Sequence, residues 1–269
     1  MLFRILSDIH NEVLQGTTRQ DYSVPPLDTD PETVLILAGD IGVLTREHTW
    51  LGFLTACSRQ FRSVFIIEGN HEYYHDHIEK NSWSEALGRH RLQNIVTGEL
   101  ILREEQIAII GTTLWTYFEG SDPISMFDVG QGLNDYHLIR AGARYSRLRP
   151  EYTLALHHRQ KSELFRAADR YRALGYTVMA VTHHHPSLQA IMPAYRNDRV
   201  NGGFVSSMDH EILQHDIAWW ISGHCHTAME YSIGKTRVLS NPKGYPHEHG
   251  NGFDPLKTLE IAEEGISAL

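Results

Sequence analysis

Cysteine is almost missing from this chain. Its 269 residues include only Cys57 and Cys225, which cannot make a disulfide framework and suit a reducing compartment. Long apolar runs are missing too: nothing approaches the roughly 20 residues a membrane-spanning helix needs, so no membrane partner is expected. Positive charge is in deficit, with 24 Lys and Arg against 33 Asp and Glu for a formal net charge of −9. General affinity for nucleic acid or anionic membrane needs a basic face, and the composition argues against one. Repeats, low-complexity tracts and linkers are absent, so residues 1–269 are expected to form a single domain. The amino terminus opens on a strand pattern, without a basic segment and long apolar core, which predicts no signal peptide and a cytoplasmic protein. One residue is in excess: 18 histidines. A histidine-rich chain without cysteine clusters points to metal chemistry by imidazole and carboxylate.

Taken in order, apolar runs alternate with helical patterns. Phe3 to Leu6 reads as a buried strand, residues 11–32 as a long polar loop with Pro25-Pro26, and Thr33 to Ala38 as a second buried strand. Glu47 to Arg59 has helical spacing with Trp50, Leu51, Leu54 and Cys57 on one face. Val64 to Ile67 is a third buried strand, followed by a polar helical stretch in which His75 and His77 face solvent or sit behind the site. Short strands are expected at 95–96, 99–103 and 106–112. Residues 113–150 lack clean periodicity and read as a cap or lid insertion, in which Asn134-Asp135-Tyr136-His137 can form a turn or reach a substrate. Glu151 to Leu174 is the longest helical pattern, its inner face assigned to Leu154, Leu156, Leu164, Phe165 and Ala168, with Gly175 as its stop. Further strands are expected at 177–182, 217–222, 229–233, 236–239 and 257–261, with Gly234-Lys235 as a hairpin turn. This alternation predicts a layered α/β fold.

Five of the buried strands stop on residues that bind metals: Asp8-x-His10, Gly39-Asp40, Gly69-Asn70-His71-Glu72, His183-His184 and Gly223-His224-x-His226. Residues two apart in an extended segment point to one side, so Asp8 and His10 can converge on one ion. The same rule turns Cys225 away from His224 and His226, into a role in the core. Ligands of α/β folds gather at the carboxyl ends of strands. The glycines before Asp40, Asn70 and His224 let the backbone turn sharply.

The ordered set of motifs, spanning residues 3–240, resembles the calcineurin-like metallophosphoesterase superfamily. The stretch from Gly223 to Gly244, with Asn241-Pro242-Lys243-Gly244-Tyr245, is similar to bacterial members of that group. The resemblance implies a layered β-sandwich flanked by helices, α/β/β/α, with a binuclear metal site at the carboxyl ends of strands. It implies that Asp8, His10 and His226 hold one ion with Asp40, and that Asn70, His183 and His224 hold the second with Asp40. Two cations about 3.5–4 Å apart clamp the attacking and leaving oxygens of an in-line displacement, and they need one shared anionic bridge, for which Asp40 is the natural candidate. Hard oxygens mixed with imidazoles suit divalent or trivalent manganese, iron or zinc. The nucleophile is then a metal-bridging hydroxide, and His71 protonates the leaving group or steadies its charge. Glu72 orients His71, braces a metal-bound imidazole, or pairs with a surface base.

Two departures shape the reading. Phosphoprotein phosphatases of the superfamily extend the Gly-Asp motif with a further Asp and Arg, whereas this chain reads Gly39-Asp40-Ile41-Gly42-Val43. Counting from the strand end selects His183 as ligand, and counting back from Pro186 allows His184. His183 is favoured, with His184 beside the substrate. His157, His158, His247 and His249 are assigned to the surface or rim. The expected function is a metal-dependent phosphoesterase acting on phosphodiesters or small phosphorylated metabolites. The alternatives are a DNA nuclease of the same superfamily, a phosphoprotein phosphatase and a non-catalytic metal-binding scaffold. The sequence is silent on the oligomeric state.

Overall fold

Strands whose residues are apolar on both faces need cover on both faces, and the chain supplies it with four layers. The structure, a computed structural model, describes residues 1–14 and 22–261. The first sheet contains β1 (Leu2–Leu6), β2 (Val34–Leu37), β3 (Ser63–Ile66), β4 (Ile95–Val96) and β13 (Thr258–Glu260) in the spatial order β13-β1-β2-β3-β4. Strands β1 to β4 run parallel and β13 closes one edge antiparallel. The second sheet contains β5 (Glu99–Leu102), β6 (Ile107–Thr112), β9 (Thr177–Thr182), β10 (Trp219–Ser222), β11 (Met229–Ile233) and β12 (Thr236–Ser240). Its order is β11-β12-β10-β9-β6-β5, with parallel central strands and antiparallel edges.

Alternation along the strands assigns the layers. Phe3, Ile5, Val34, Ile36, Phe65 and Ile67 of the first sheet meet Ile107, Ile109, Met179, Val181 and Ile221 of the second. The opposite faces, Leu6, Leu35, Leu37, Val64 and Ile66, pack under α2 (Leu51–Gln60) and α3 (Trp83–His90). The outer face of the second sheet, with Ile110, Val178, Ala180 and Trp220, takes α7 (Pro150–Ala173) through Leu164, Phe165 and Ala168. This is the α/β/β/α sandwich. Pro150 opens α7, where a missing N–H costs nothing, and Gly175 at φ +86° follows its end.

Several expectations change in detail. Residues 11–14 form a helical turn, α1 (Asn11–Leu14), and part of the loop expected there, 15–21, lies outside the described residues. The stretch after His71 begins as one 3-10 turn, His71–Tyr73. His77 is buried and its Nε2 pairs with the Gly142 carbonyl at 2.9 Å, while His75 is exposed. The irregular stretch 113–150 is ordered as α4 (Phe118–Ser121), α5 (Pro123–Gly132), α6 (Asp135–Leu138) and a small hairpin, β7 (Arg140–Ala141) with β8 (Ser146–Arg147). Its Trp115, Phe118, Val129, Tyr136, Ile139 and Leu148 form one apolar cluster with Val43, Tyr73, Tyr74 and Ile78. In the first half of α7, Thr153 and His157 are fully buried, and Leu154 and Leu156 are partly buried against this cluster. His157 is therefore a core residue, not a rim one: its Nδ1 donates to the Trp115 carbonyl. His158, His247 and His249 are exposed. A further short helix, α8 (Asp209–Ile212), precedes β10. Among the described residues, no helix is long and apolar enough to cross a membrane.

Candidate metal centre

The parallel strands of both sheets end at one lip, and the motif residues follow those ends. Three groups of donors there lie within 4.8 Å of one another: Asp8, His10 and His226; His10, Asp40 and His71; Asp40, His183 and His224. Asp40 links them. Its Oδ2 is 3.6 Å from His10 Nε2, 3.4 Å from His183 Nε2 and 4.0 Å from His71 Nε2. His226 Nε2 is 3.3 Å from Asp8 Oδ1 and 3.0 Å from His10 Nε2. On the other side, His183 Nε2 is 2.9 Å from Asn70 Oδ1 and 3.2 Å from His224 Nδ1.

The backbone achieves this convergence differently from the pleat expected of an extended segment. Asp8, His10, Asp40, His224 and His226 all have positive φ, between 47° and 69°. Each such non-glycine residue costs roughly 1–3 kcal/mol and persists only when its surroundings hold it. Here the surroundings are hydrogen bonds between the strand ends. The N–H groups of Asp8 and His10 donate to the carbonyls of Gly39 and Asp40, and the His224 N–H donates to both Asp8 carboxylate oxygens. Gly39 does adopt the left-handed conformation, at φ +87°. Gly69 serves another purpose: a Cβ there would lie 2.1 Å from Asp40 Oδ1. The same crowding correction applies at Gly223, where a Cβ would meet Asp8 Oδ2 at 2.6 Å.

Glu72 departs from its expected roles. Its buried carboxylate accepts from the N–H groups of Asp40, Ile41 and Gly69, at 3.0, 2.8 and 2.7 Å. It braces the turn that carries Asp40 and touches no imidazole. His184 also moves. Its ring is buried behind the site between Trp115 and His224, with Nδ1 on the Thr113 carbonyl, and it lines no part of the cavity. Thr113 holds the backbone N–H groups of both His183 and His184, so the ring leaving the strand end first is the one delivered to Asp40. Cys225 is half-buried and lines the cavity instead of facing away, because the left-handed flanking residues break the alternation of an extended chain.

Four further residues complete the site, and spacing alone does not single them out. Glu12 Oε1 accepts from Nδ1 of both His10 and His71, each at 2.9 Å. Glu248 Oε2 accepts from His226 Nδ1 at 2.7 Å. Asp135 Oδ1 accepts from Asn70 Nδ2 and the Tyr74 hydroxyl, both at 2.8 Å. The Tyr245 hydroxyl lies 3.1 Å from His71 Nε2. With the Ala38 carbonyl on His183 Nδ1, these contacts fix Nδ1–H on His10, His183 and His226 and aim each Nε2 inward, as outer partners of metal-bound imidazoles do.

Electrostatics shows what the donors lack. Burial favours neutral imidazoles, yet Asp40 and Glu12 raise His71 to about 9, Asp40 raises His183 to about 9, and Asp8 and Glu248 raise His226 to about 10. Burial opposes ionisation of Asp8 and Asp40 too, but His226 and His183 hold both carboxyls below their usual range. His10 and His224 are lowered, first by burial and then by His71 and His184 respectively. Without cations, protons on His183 and His226 balance the carboxylates. Nitrogen pairs at 3.0 and 3.2 Å have the separation of neighbouring donors on one ion with bonds near 2 Å. The donor set therefore fits two cations sharing Asp40, with Asp8, His10 and His226 on one side and Asn70, His183 and His224 on the other.

A cavity of about 400 Å³ opens on this centre, bounded by Asp40, Asn70, His71, His224 and His226, by residues 132–135, and by the segment from Ala190 to Val205.

Comparison with known proteins agrees with this architecture. The model of a family described as calcineurin-like phosphoesterase matches residues 1–228. An uncharacterized protein of Acanthamoeba polyphaga mimivirus is 24% identical over 281 residues, covering 97% of this chain and 96% of its own length. Among solved structures, a phosphopantetheinyl hydrolase from Mycobacterium tuberculosis superposes with a TM-score of 0.60 at 15% identity, covering 91% of this chain and 89% of that one.

Proposed function

Because the chain belongs to the calcineurin-like phosphoesterase family, a family of metal-dependent phosphoester hydrolases, we propose that it hydrolyses phosphodiesters or small phosphorylated metabolites at the Asp40 centre. Asp8, His10 and His226 hold one manganese, iron or zinc ion with Asp40, and Asn70, His183 and His224 hold the other. Residues 113–150 act as the cap over the cavity. The observation that carries the reading is Asp40 Oδ2, placed 3.6 Å from one imidazole set and 3.4 Å from the other, as a shared bridge must be.

Two such ions, when bound, lower the pKa of water to generate the nucleophile and offset the charge on the phosphoryl oxygens. The chain's own residues do the rest. Glu12 holds the His71 ring through Nδ1, leaving Nε2 to face the cavity beside the Tyr245 hydroxyl. With Asp40 and Glu12 keeping the imidazole protonated, His71 Nε2 hands a proton to the departing alcohol oxygen, a role worth typically 10²–10⁴-fold in rate. Asp135 and Tyr74 fix the Asn70 amide with its oxygen toward the centre.

The test is turnover of bis(p-nitrophenyl) phosphate and of the monoester by manganese-loaded protein, together with metal analysis. The wild type should turn over at least one of the two esters and hold about two ions per chain, and Asp40→Asn should lose both properties. Metal-independent turnover, or an Asp40→Asn protein with full metal content and rate, would overturn the proposal.

A further inference from the structure

The cavity is chemically two-sided. One side carries the ligand imidazoles and carboxylates. The other, drawn from the cap and the 190–205 segment, presents Leu133, Ile191, Met192, Val200, Phe204 and Val205. Phe204 continues the apolar side up to the centre itself, its ring 4.8 Å from that of His224. Among the described residues, no Lys or Arg lines the cavity, and Arg196 and Arg199 on the same segment stay outside its lining. Away from the ligand side chains, the acidic residues of its lining are Asp135, Asp198 and Glu248.

A phosphate group needs cations or convergent N–H donors to leave water. The centre can meet one phosphate. A second, placed elsewhere in this cavity, would meet no Lys or Arg, only apolar side chains, carboxylates and the neutral polar groups of Asn134, Asn201, Tyr74 and Tyr195. Resting on the phosphoesterase reading above, we infer that the apolar side seats the substrate's leaving group, and that the substrate is an ester of a single phosphate with an uncharged, apolar alkyl or aryl alcohol. Diphosphates, triphosphates and bisphosphates are selected against. In the step itself water adds its oxygen to phosphorus, the phosphorus–oxygen bond to the alcohol breaks, and the alcohol leaves with a proton from His71 Nε2. One proton of the water stays on the phosphate released and the other, passed through solvent, restores His71 Nε2, so no other reactant is consumed.

The experiment compares ethyl phosphate, hexyl phosphate and hexane-1,6-diyl bisphosphate, each as the free ester and as its methyl diester, with manganese-loaded protein. Phosphate or methyl phosphate release gives kcat/KM. Hexyl phosphate should exceed both ethyl phosphate and the bisphosphate by roughly tenfold or more, the scale on which apolar contacts discriminate. Met192→Arg, at a side chain 42% exposed and so tolerant of change, should narrow the gap by raising the bisphosphate. A bisphosphate turned over as well as hexyl phosphate, or no gain from ethyl to hexyl, sinks the subsite while leaving the phosphoesterase reading intact. Failure to turn over any ester, including the p-nitrophenyl ones, sinks that reading and the subsite with it.

Discussion

The Asn70 amide has two ends, and only its oxygen can face a cation. Asp135 decides which end does, by accepting from Nδ2 at 2.8 Å while Tyr74 braces the same carboxylate oxygen. Asp135→Ala should let the amide turn over and weaken the ion on the Asn70 side by about 10–100-fold, the usual cost of losing an outer partner. Calorimetric titration with manganese should show one weakened and one ordinary site, and two sites of wild-type affinity would refute the orienting role. Asp135 was visible in the sequence only as part of a turn that could reach a substrate. It lies 65 residues from Asn70, and no spacing rule connects a residue of the 113–150 stretch to a strand end. Glu12 was more accessible, sitting two residues after His10, and Tyr245 and Glu248 fall in or just after the Asn241 to Tyr245 stretch. Glu12 sits on the single turn of α1 and the other two on a loop, short or irregular pieces where pattern carries least. The seven motif residues from Asp8 to His226 were legible because each directly follows an apolar run.

At the scale of elements, buried strands announced themselves by continuous Val, Ile and Leu, and α7 by its length. What the pattern could not show was backbone hand beyond the strand ends. Left-handed residues at Asp8, His10, Asp40, His224 and His226 replaced the pleat and put Cys225 on the cavity. Periodicity also missed the most deeply buried residues in the first half of α7, Thr153 and His157, beside the partly buried Leu154 and Leu156. His157 gives that helix a measurable signature. Burial lowers its pKa to about 4, so the folded form stays neutral while the unfolded chain takes up a proton near 6.5. Its contribution to stability is present above pH 6.5 and is lost as pH falls toward 4. His157→Gln retains an N–H donor for the Trp115 carbonyl. It should cost about 1 kcal/mol or less at pH 7 and flatten the loss of stability between pH 6.5 and 4. Urea midpoints at pH 7 and 4.5 check this, and an unchanged acid slope would sink it.

For the molecule as a whole, pH and metal are coupled. His71, His183 and His226 are raised to about 9, 9 and 10. In protein stripped of metal, their stabilisation is complete below pH 6.5 and disappears as pH rises through 9–10. Cations would take the place of the protons on the ligands His183 and His226, while His71 keeps its own, so metal should matter most where the ligand protons have left. The urea midpoint of EDTA-treated protein should fall between pH 6.5 and 10, and added manganese should restore it more at pH 9 than at pH 6.5. A midpoint insensitive to pH and metal would mean that the donors do not converge in solution.

The cage is built by both sheets. Asp8, His10, Asp40 and Asn70 follow strands of the first, and His183, His224 and His226 follow strands of the second. The ribosome therefore delivers four donors early and three late, and neither half can close the ring alone. On the two-ion reading, cation capture would be a certificate of assembly, granted only after two separately made slabs have met in register, and once granted it would rivet them together at that lip.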